Sequence, residues 1–366
     1  MHYKKVLIVL RHDARNKPGG DSNLLKEISK LLVGFDVHIA YGVPNSVADY
    51  DFVMSSNLDR PIEGYDLLKL CNKSSTPLHF MTLHHHSNQA ISNYLRKGLF
   101  GWKFFIAVIS NYNPIKYEQF LWNIRVCLSY LKKSKNLKFG SVANAQKKLI
   151  KECKYLLVVS RHELESIKKD VGNIASEVIY MPHVLKNNNS IKNNSIKNNT
   201  IQEKIIFCPG RIECRKNQLF ILEVAENMPE YKFIFMGNVN QSDKSYVKSF
   251  FKKANKLQNV DILSALKEDE FNEFLASSNI VLTASWFEVT SLIELQVLRS
   301  GNKLICNSLS YNDSFFTNSL VYKHNDIESC CKKIIEAYED KFRVYGYYNL
   351  SEDIIDSYLT QTGNQI

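Results

Sequence analysis

The 366-residue sequence has no Cys-x-x-Cys pair, and none of its eight cysteines (Cys71, Cys127, Cys153, Cys208, Cys214, Cys306, Cys330, Cys331) stands at a zinc-site spacing from histidine. Zinc modules and dithiol redox motifs are thereby excluded, and scattered thiols in so long a chain fit a reducing compartment. Long hydrophobic runs are missing too. After Met1-His2-Tyr3-Lys4-Lys5 comes only a brief apolar run, too short for a signal-peptide core. The longest apolar stretch, Leu99 to Ile109, is broken by Lys103 and falls well short of the ~20 residues that span a bilayer. The expected location is the cytoplasm, with the inner face of the plasma membrane as a surface the protein could touch. No Gly-x-Gly-x-x-Gly follows a first strand, which argues against a dinucleotide cofactor, and no nucleic-acid module is present.

What is present is an ordinary globular composition, 45% hydrophobic and 23% charged, with a formal charge of +10. The charge is unevenly placed. Residues 1–185 carry 26 basic and 15 acidic side chains, whereas residues 201–366 carry 18 and 22. Between Arg96 and Lys169 alone there are 16 basic residues and 4 acidic ones, interleaved with Leu99-Phe100-Gly101-Trp102-Lys103-Phe104-Phe105. Such a mixture suits an anionic membrane surface, although a buried strand over Phe104 to Ile109 among solvated lysines is an equal reading.

Strand and helix patterns alternate through both halves. Val6 to Leu10, Asp36 to Tyr41, Tyr50 to Met54, Leu78 to Leu83, Tyr155 to Val159 and Glu177 to Tyr180 read as strands, with helices over Leu24–Leu32, Glu63–Leu70 and Arg161–Lys169. Residues 186–200 repeat Ser-Ile-Lys-Asn-Asn and read as a flexible Asn-rich linker. Beyond it, strands are expected at Lys204–Cys208, Lys232–Met236, Val260–Leu263, Ile280–Thr283 and Lys303–Cys306. The helices between them are Asn217–Glu226, Lys244–Lys256, Glu268–Ser277 and Leu292–Arg299. The expected architecture is therefore α/β, two doubly wound parallel-sheet domains facing across a cleft: 1–185, the linker 186–200, and 201–345. A tail over 346–366 would pack back on the first domain. Ligands of such sheets lie beyond the carboxyl ends of the strands.

Two stretches carry chemistry. In Ser285-Trp286-Phe287-Glu288-Val289-Thr290-Ser291-Leu292-Ile293-Glu294, a loop leaving a strand brings out Glu288, and Ser291 with Glu294 forms a capping box whose helix N–H groups suit a phosphate. On these residues alone Glu288 reads more readily as a solvated loop carboxylate. Gly301 fits the residue after the helix end. In Pro209-Gly210-Arg211-Ile212-Glu213-Cys214-Arg215-Lys216-Asn217, three cations surround a strand-to-helix turn, a cradle for a diphosphate that needs no metal.

Together these stretches resemble the retaining GT-B glycosyltransferases, in particular the family 4 group (glycosyl transferases group 1). That family has a Gly-Arg-x4-Lys element, matched by Arg211 and Lys216. Its Glu-x7-Glu element precedes a glycine thirteen residues after the first Glu, an interval kept by Glu288 and Gly301, with Gln296 replacing the second Glu. The resemblance implies a nucleotide-sugar donor, UDP- or GDP-linked, as substrate, with no metal or other cofactor. Its donor-side residues would be Arg211, Lys216, Glu288, Ser291, Leu292 and Gln296, together with Gly19 and Gly20 of Lys17-Pro18-Gly19-Gly20, a stretch that reads equally as an ordinary tight strand-to-helix turn. His85, and next His84, of Leu83-His84-His85-His86 would stand near the acceptor; adjacent histidines without a carboxylate close by in the sequence make a metal site improbable. Catalytic roles would fall to Glu288, His85, Arg211 and Lys216, and the acceptor would be a glycan or lipid-linked glycan in surface polysaccharide synthesis. Two other functions stay open, a nucleotide-sugar epimerase or hydrolase of the same fold and a non-catalytic nucleotide-sugar-binding subunit.

Overall fold

The computed structural model describes residues 3–17, 19–85, 88–131, 137–181, 204–267, 270–271, 274–275, 280–289, 291–309, 319–339 and 353–363. The linker 186–200 and most of the helix expected over Glu268–Ser277 lie outside the described residues, as do Pro18, His86 and Thr290. In chain order the elements are β1 (Lys5–Leu10), α1 (Gly20–Leu31), β2 (Asp36–Tyr41), β3 (Phe52–Ser56), α2 (Pro61–Ser74), β4 (Leu78–Met81), α3 (Asn88–Lys97), α4 (Trp102–Ile109), α5 (Pro114–Leu131), α6 (Val142–Glu152), β5 (Tyr155–Val158), α7 (Arg161–Asp170) and β6 (Glu177–Tyr180). They continue with β7 (Ile205–Pro209), a 3₁₀ turn (Cys214–Lys216), α8 (Gln218–Asn227), β8 (Lys232–Met236), α9 (Lys244–Ala254), β9 (Val260–Leu263), β10 (Ile280–Leu282), α10 (Leu292–Arg299), β11 (Lys303–Asn307), β12 (Leu320–Tyr322), α11 (Ile327–Glu339) and α12 (Asp353–Gln361).

The chain divides into two compact units. The first comprises Met1–Asn88, Ile109–Lys186 and Leu350–Ile366; the second comprises Gln89–Val108 and Asn187–Asn349. The first unit is built on a six-stranded sheet in the order β2-β1-β3-β4-β5-β6, with every pairing parallel. Val6 to Leu10 are all buried, as expected of a parallel strand covered by helices on both faces. The carboxyl-terminal α12 belongs to this unit. Its Tyr358 is buried, and its hydroxyl lies 2.5 Å from Nδ1 of His79 on β4.

The second unit repeats the design with the order β12-β11-β10-β7-β8-β9, again all parallel. Its crossing from β7 to β8 is so close that a Cβ on Gly237 would stand 2.3 Å from the Gly210 carbonyl oxygen, and Gly237 has φ +155°. Only glycine fits there. α10 ends in a Schellman motif, with Gly301 at φ +76° donating to the Leu298 carbonyl and Asn302 donating to that of Val297.

The alternative reading of Phe104–Ile109 as a buried strand does not hold: the segment lies in α4, which buries Ile106 and Ala107 and exposes Trp102, Phe105, Val108 and Ile109. An unbroken apolar run has no period of its own, so its neighbours decide between strand and helix. Here α3 and α4, except for their end residues, fall within the second unit although they lie in the first half of the sequence.

Candidate functional site

The site is assembled at the carboxyl ends of β7 and β10 in the second unit. The chain leaves β7 through Gly210, which adopts φ +140°, and makes one 3₁₀ turn that ends at Lys216. It leaves β10 into a loop whose residues Ser285 to Val289 are all buried. Two hydrogen bonds and a ring contact fix this loop. Trp286 donates its N–H to the Arg215 carbonyl at 2.9 Å, Asn307 donates to the Ser285 carbonyl at 2.5 Å, and the Trp286 ring packs 4.5 Å from that of His324.

Glu288 is consequently no solvated carboxylate. Its two oxygens accept from Arg215 Nη1 and Lys216 Nζ, each at 2.6 Å. Burial alone would raise its pKa, but the charges of Arg215 and Lys216 outweigh burial and hold it well below the usual carboxylate range. Arg215 also contacts Glu213 at 3.3 Å, and Glu213 accepts from Asn240 at 3.0 Å. The result is a part-buried chain of alternating charges in which Glu288 is ionised and both cations are held near the turn.

Ser291 caps α10, its Oγ accepting the Glu294 N–H at 3.4 Å. The second half of the expected capping box is not made. The Glu294 carboxyl turns inward, where Oε1 accepts from Thr283 Oγ1 at 2.6 Å and Oε2 has no partner among the described residues. Burial, with the nearby Glu288 charge, pushes Glu294 up to about 7. A narrow crevice runs past these groups, lined by Pro209, Lys216, Thr283, Ser285, Ser291 and Ile293.

The structure thus brings together Lys216, Glu288 and Ser291. Arg211 stands off, half exposed, with Nε 3.3 Å from Glu213. Gln296 is half-buried on α10, and Leu292 opens that helix. Sequence reasoning counted Arg215 among the cations of the turn but gave it no place in the donor site, and it is Arg215 that binds Glu288 directly. Its position directly before Lys216, at the edge where the Glu288 loop emerges, was the available signal.

In the first unit, Gly19 is the N-cap of α1 and takes an extended φ of −127°. A Cβ there would meet Asp21 Oδ1 at 2.6 Å and Arg11 Nη2 at 3.0 Å, while one on Gly20 would meet nothing within 4 Å. Asp21 itself occupies the head of α1, bonded to Arg11 Nε at 2.6 Å, to Asn57 Nδ2 at 2.9 Å and to the Ser22 N–H at 2.8 Å. His84 is buried between Asp59 (Nδ1, 2.6 Å) and Asp170 (Nε2, 3.2 Å). Burial would lower its pKa, yet these carboxylates raise it to about 10, so the ring is cationic. His85 is part-exposed and shares Asp59, which accepts both its N–H and its Nδ1 contact. Beneath the histidine loop, buried Glu163 accepts from Thr82 Oγ1 (2.5 Å) and from the N–H groups of His84 and Val159 (2.7 Å each). Among the described residues, no group of three His, Cys, Asp or Glu side chains is arranged to hold a metal ion.

Residues 190–356, somewhat under half of the chain, match the family model described as Glycosyl transferases group 1. No curated protein matches the sequence. Among solved structures, HepE of Anabaena in complex with UDP and glucose is similar over 100% of both chains at 11% identity, with a TM-score of 0.64. Sucrose-phosphate synthase from Thermosynechococcus elongatus is similar over 98% of this chain and 97% of its own at 10% identity, with a TM-score of 0.67. The UDP-forming α,α-trehalose-phosphate synthase of Burkholderia vietnamiensis covers 86% of this chain at 8% identity, with a TM-score of 0.54, over 71% of its own length. The chain has the two-sheet α/β architecture of the GT-B fold, and its carboxyl-terminal part matches the group 1 glycosyltransferase model.

Proposed function

We propose that this protein is a glycosyltransferase that moves a sugar from a UDP- or GDP-linked donor to a glycan or lipid-linked glycan, with retention at the anomeric carbon. The match to the group 1 model and the GT-B fold support glycosyl transfer from a nucleotide sugar. The observation that carries the reading is the Arg215–Glu288–Lys216 cluster beside the capped head of α10. A diphosphate at the crevice would face Lys216 and the first N–H groups of α10, with half-exposed Arg211 recruited from its contact with Glu213. Charge developing on the leaving diphosphate is then stabilised by fixed cations and a helix end, which is electrostatic catalysis. Glu288, kept ionised by its two cations, would accept from sugar hydroxyls. No metal enters this scheme, because the chain supplies the positive charge. Gln296 would bond the ribose hydroxyls without adding charge. His85, oriented by Asp59, is the acceptor-side residue assigned to the first unit. The product would enter surface polysaccharide or glycoconjugate synthesis.

A screen of nucleotide sugars by thermal shift, followed by a nucleotide-release assay with pooled acceptors, tests this. Arg211→Ala and Lys216→Ala should each cut transfer by at least about a hundredfold without unfolding the protein. Wild-type rates in both would overturn the assignment. Free sugar without acceptor would identify a hydrolase, and donor binding without turnover on any acceptor would identify a binding subunit.

A further inference from the structure

Glu294 stands in the first turn of α10 and has no task in the chemistry proposed above. Its carboxyl is fully buried. One oxygen accepts from the Thr283 hydroxyl at 2.6 Å, and the other has no partner among the described residues. The nearby cations, Arg215 and Lys216, hold the oxygens of Glu288 instead, each at 2.6 Å. A buried carboxylate with one neutral donor and no cation paired to it is unfavourable, and the lower-energy state keeps the proton. The other titratable groups facing Glu294 are Glu288 from the loop, Cys306 from β11 and Tyr322 from β12, and none of the three supplies positive charge. Burial and the Glu288 charge together hold Glu294 near neutrality, against the opposing pull of Thr283, Lys216 and Arg215.

This carboxyl adjoins the donor crevice. Thr283, which donates to it, and Ser291, which accepts its backbone N–H, both line the crevice, as does Lys216. When Glu294 is protonated, the positive end of the α10 dipole is left to an anion in the crevice. When it is ionised, it neutralises that helix end and adds a second negative charge beside Glu288, inside protein where charges are poorly screened. A diphosphate and an ionised Glu294 therefore oppose one another, and by linkage each disfavours the other by the same amount.

We propose that Glu294 is a proton-gated positioning residue, which holds a proton while a diphosphate occupies the crevice and weakens diphosphate binding when that proton is lost. Above neutral pH the proton is taken from solvent on binding and returned on release. The proposal rests on the assignment of the crevice to the donor diphosphate, and it adds a pH limit to donor binding that the motif residues do not supply.

Isothermal titration of the full chain with UDP and with GDP, from pH 6 to 9 and in buffers of unlike ionisation enthalpy, tests it. The reference is Glu294→Gln, which keeps the shape of the side chain and cancels any titration of the nucleotide itself. Relative to that variant, wild type should lose about tenfold in affinity between pH 6 and pH 9 and should take up about half a proton near pH 7.5. Thr283→Val removes the one hydrogen bond that the carboxyl makes among the described residues, and should move the transition to higher pH. A transition that stays in place or moves down in Thr283→Val would overturn the gate. Identical pH profiles in wild type and Glu294→Gln would overturn it too, and would leave the donor site standing. No binding of either nucleotide at any pH would overturn both readings.

Discussion

Glu288 and His84 are both buried ions, but their neighbours are opposite in sign, and single substitutions at each test that difference. Glu288→Ala leaves Arg215 and Lys216 without their shared carboxylate. Removing one partner of a buried pair costs about 3 kcal/mol, so the melting temperature should fall, and a diphosphate such as UDP should restore more stability to the variant than to wild type. Calorimetry with and without UDP checks this. Equal stability of the two proteins would mean that the cluster is not held as described. His84 gives a pH prediction. Its folded pKa of about 10 exceeds the ordinary value near 6.5, so the folded state keeps a proton that the unfolded state releases. The stabilisation is complete below about pH 6.5 and is lost as pH rises toward 10, with a slope of up to about 1.4 kcal/mol per pH unit. Denaturant unfolding across that range should show the decline, and His84→Gln should flatten it. Much of this lay beyond the sequence. Three adjacent histidines announce themselves, but Asp59 and Asp170 stand 25 and 86 residues from His84 and meet it only in the fold. The Glu288 loop was legible because its cap, its glycine and its carboxylate are local.

α3 shows what an element can do that its position in the chain conceals. Ala90 clusters with Trp286 and Phe287, and Tyr94 stands edge-on to Phe287 with centroids 5.3 Å apart. Gly98, just past the helix, passes so close that a Cβ would lie 2.5 Å from Tyr94 Cδ2 and 2.7 Å from Trp286 Nε1. The helix therefore backs the loop that presents Glu288. Gly98→Ala should push Trp286 outward, costing about 1–3 kcal/mol by overpacking and lowering kcat more than donor affinity. Kinetics and thermal unfolding of the variant check it, and unchanged kcat would show that the loop does not depend on α3. The same reasoning explains why the strand alternative for Phe104–Ile109 failed. Composition gave that run no preference between strand and helix, and the neighbours that settled the matter come from elsewhere in the sequence.

At the scale of the whole molecule, the chain end returns to the first sheet. Tyr358 of α12 lies against His79, whose ring also stacks on Phe52 with centroids 4.5 Å apart and is kept neutral, its pKa lowered by burial to about 3. Tyr358→Ala should cost about 3–5 kcal/mol, the range for deleting a buried aromatic, and Tyr358→Phe about 1 kcal/mol for the lost hydrogen bond. Thermal denaturation of both variants checks the order. A Phe variant as unstable as the Ala variant would move the energy from packing to the hydroxyl. By itself, the sequence determined the alternation of strands and helices, the two parallel sheets and the local turns at Gly210, Ser291 and Gly301, because period, caps and glycine act over a few residues. The tertiary structure alone decided that Arg215 joins Lys216 on Glu288 and that α3 serves the second unit. Each of those depends on which distant residue supplies the charge or the packing surface, and chain order does not encode that distance.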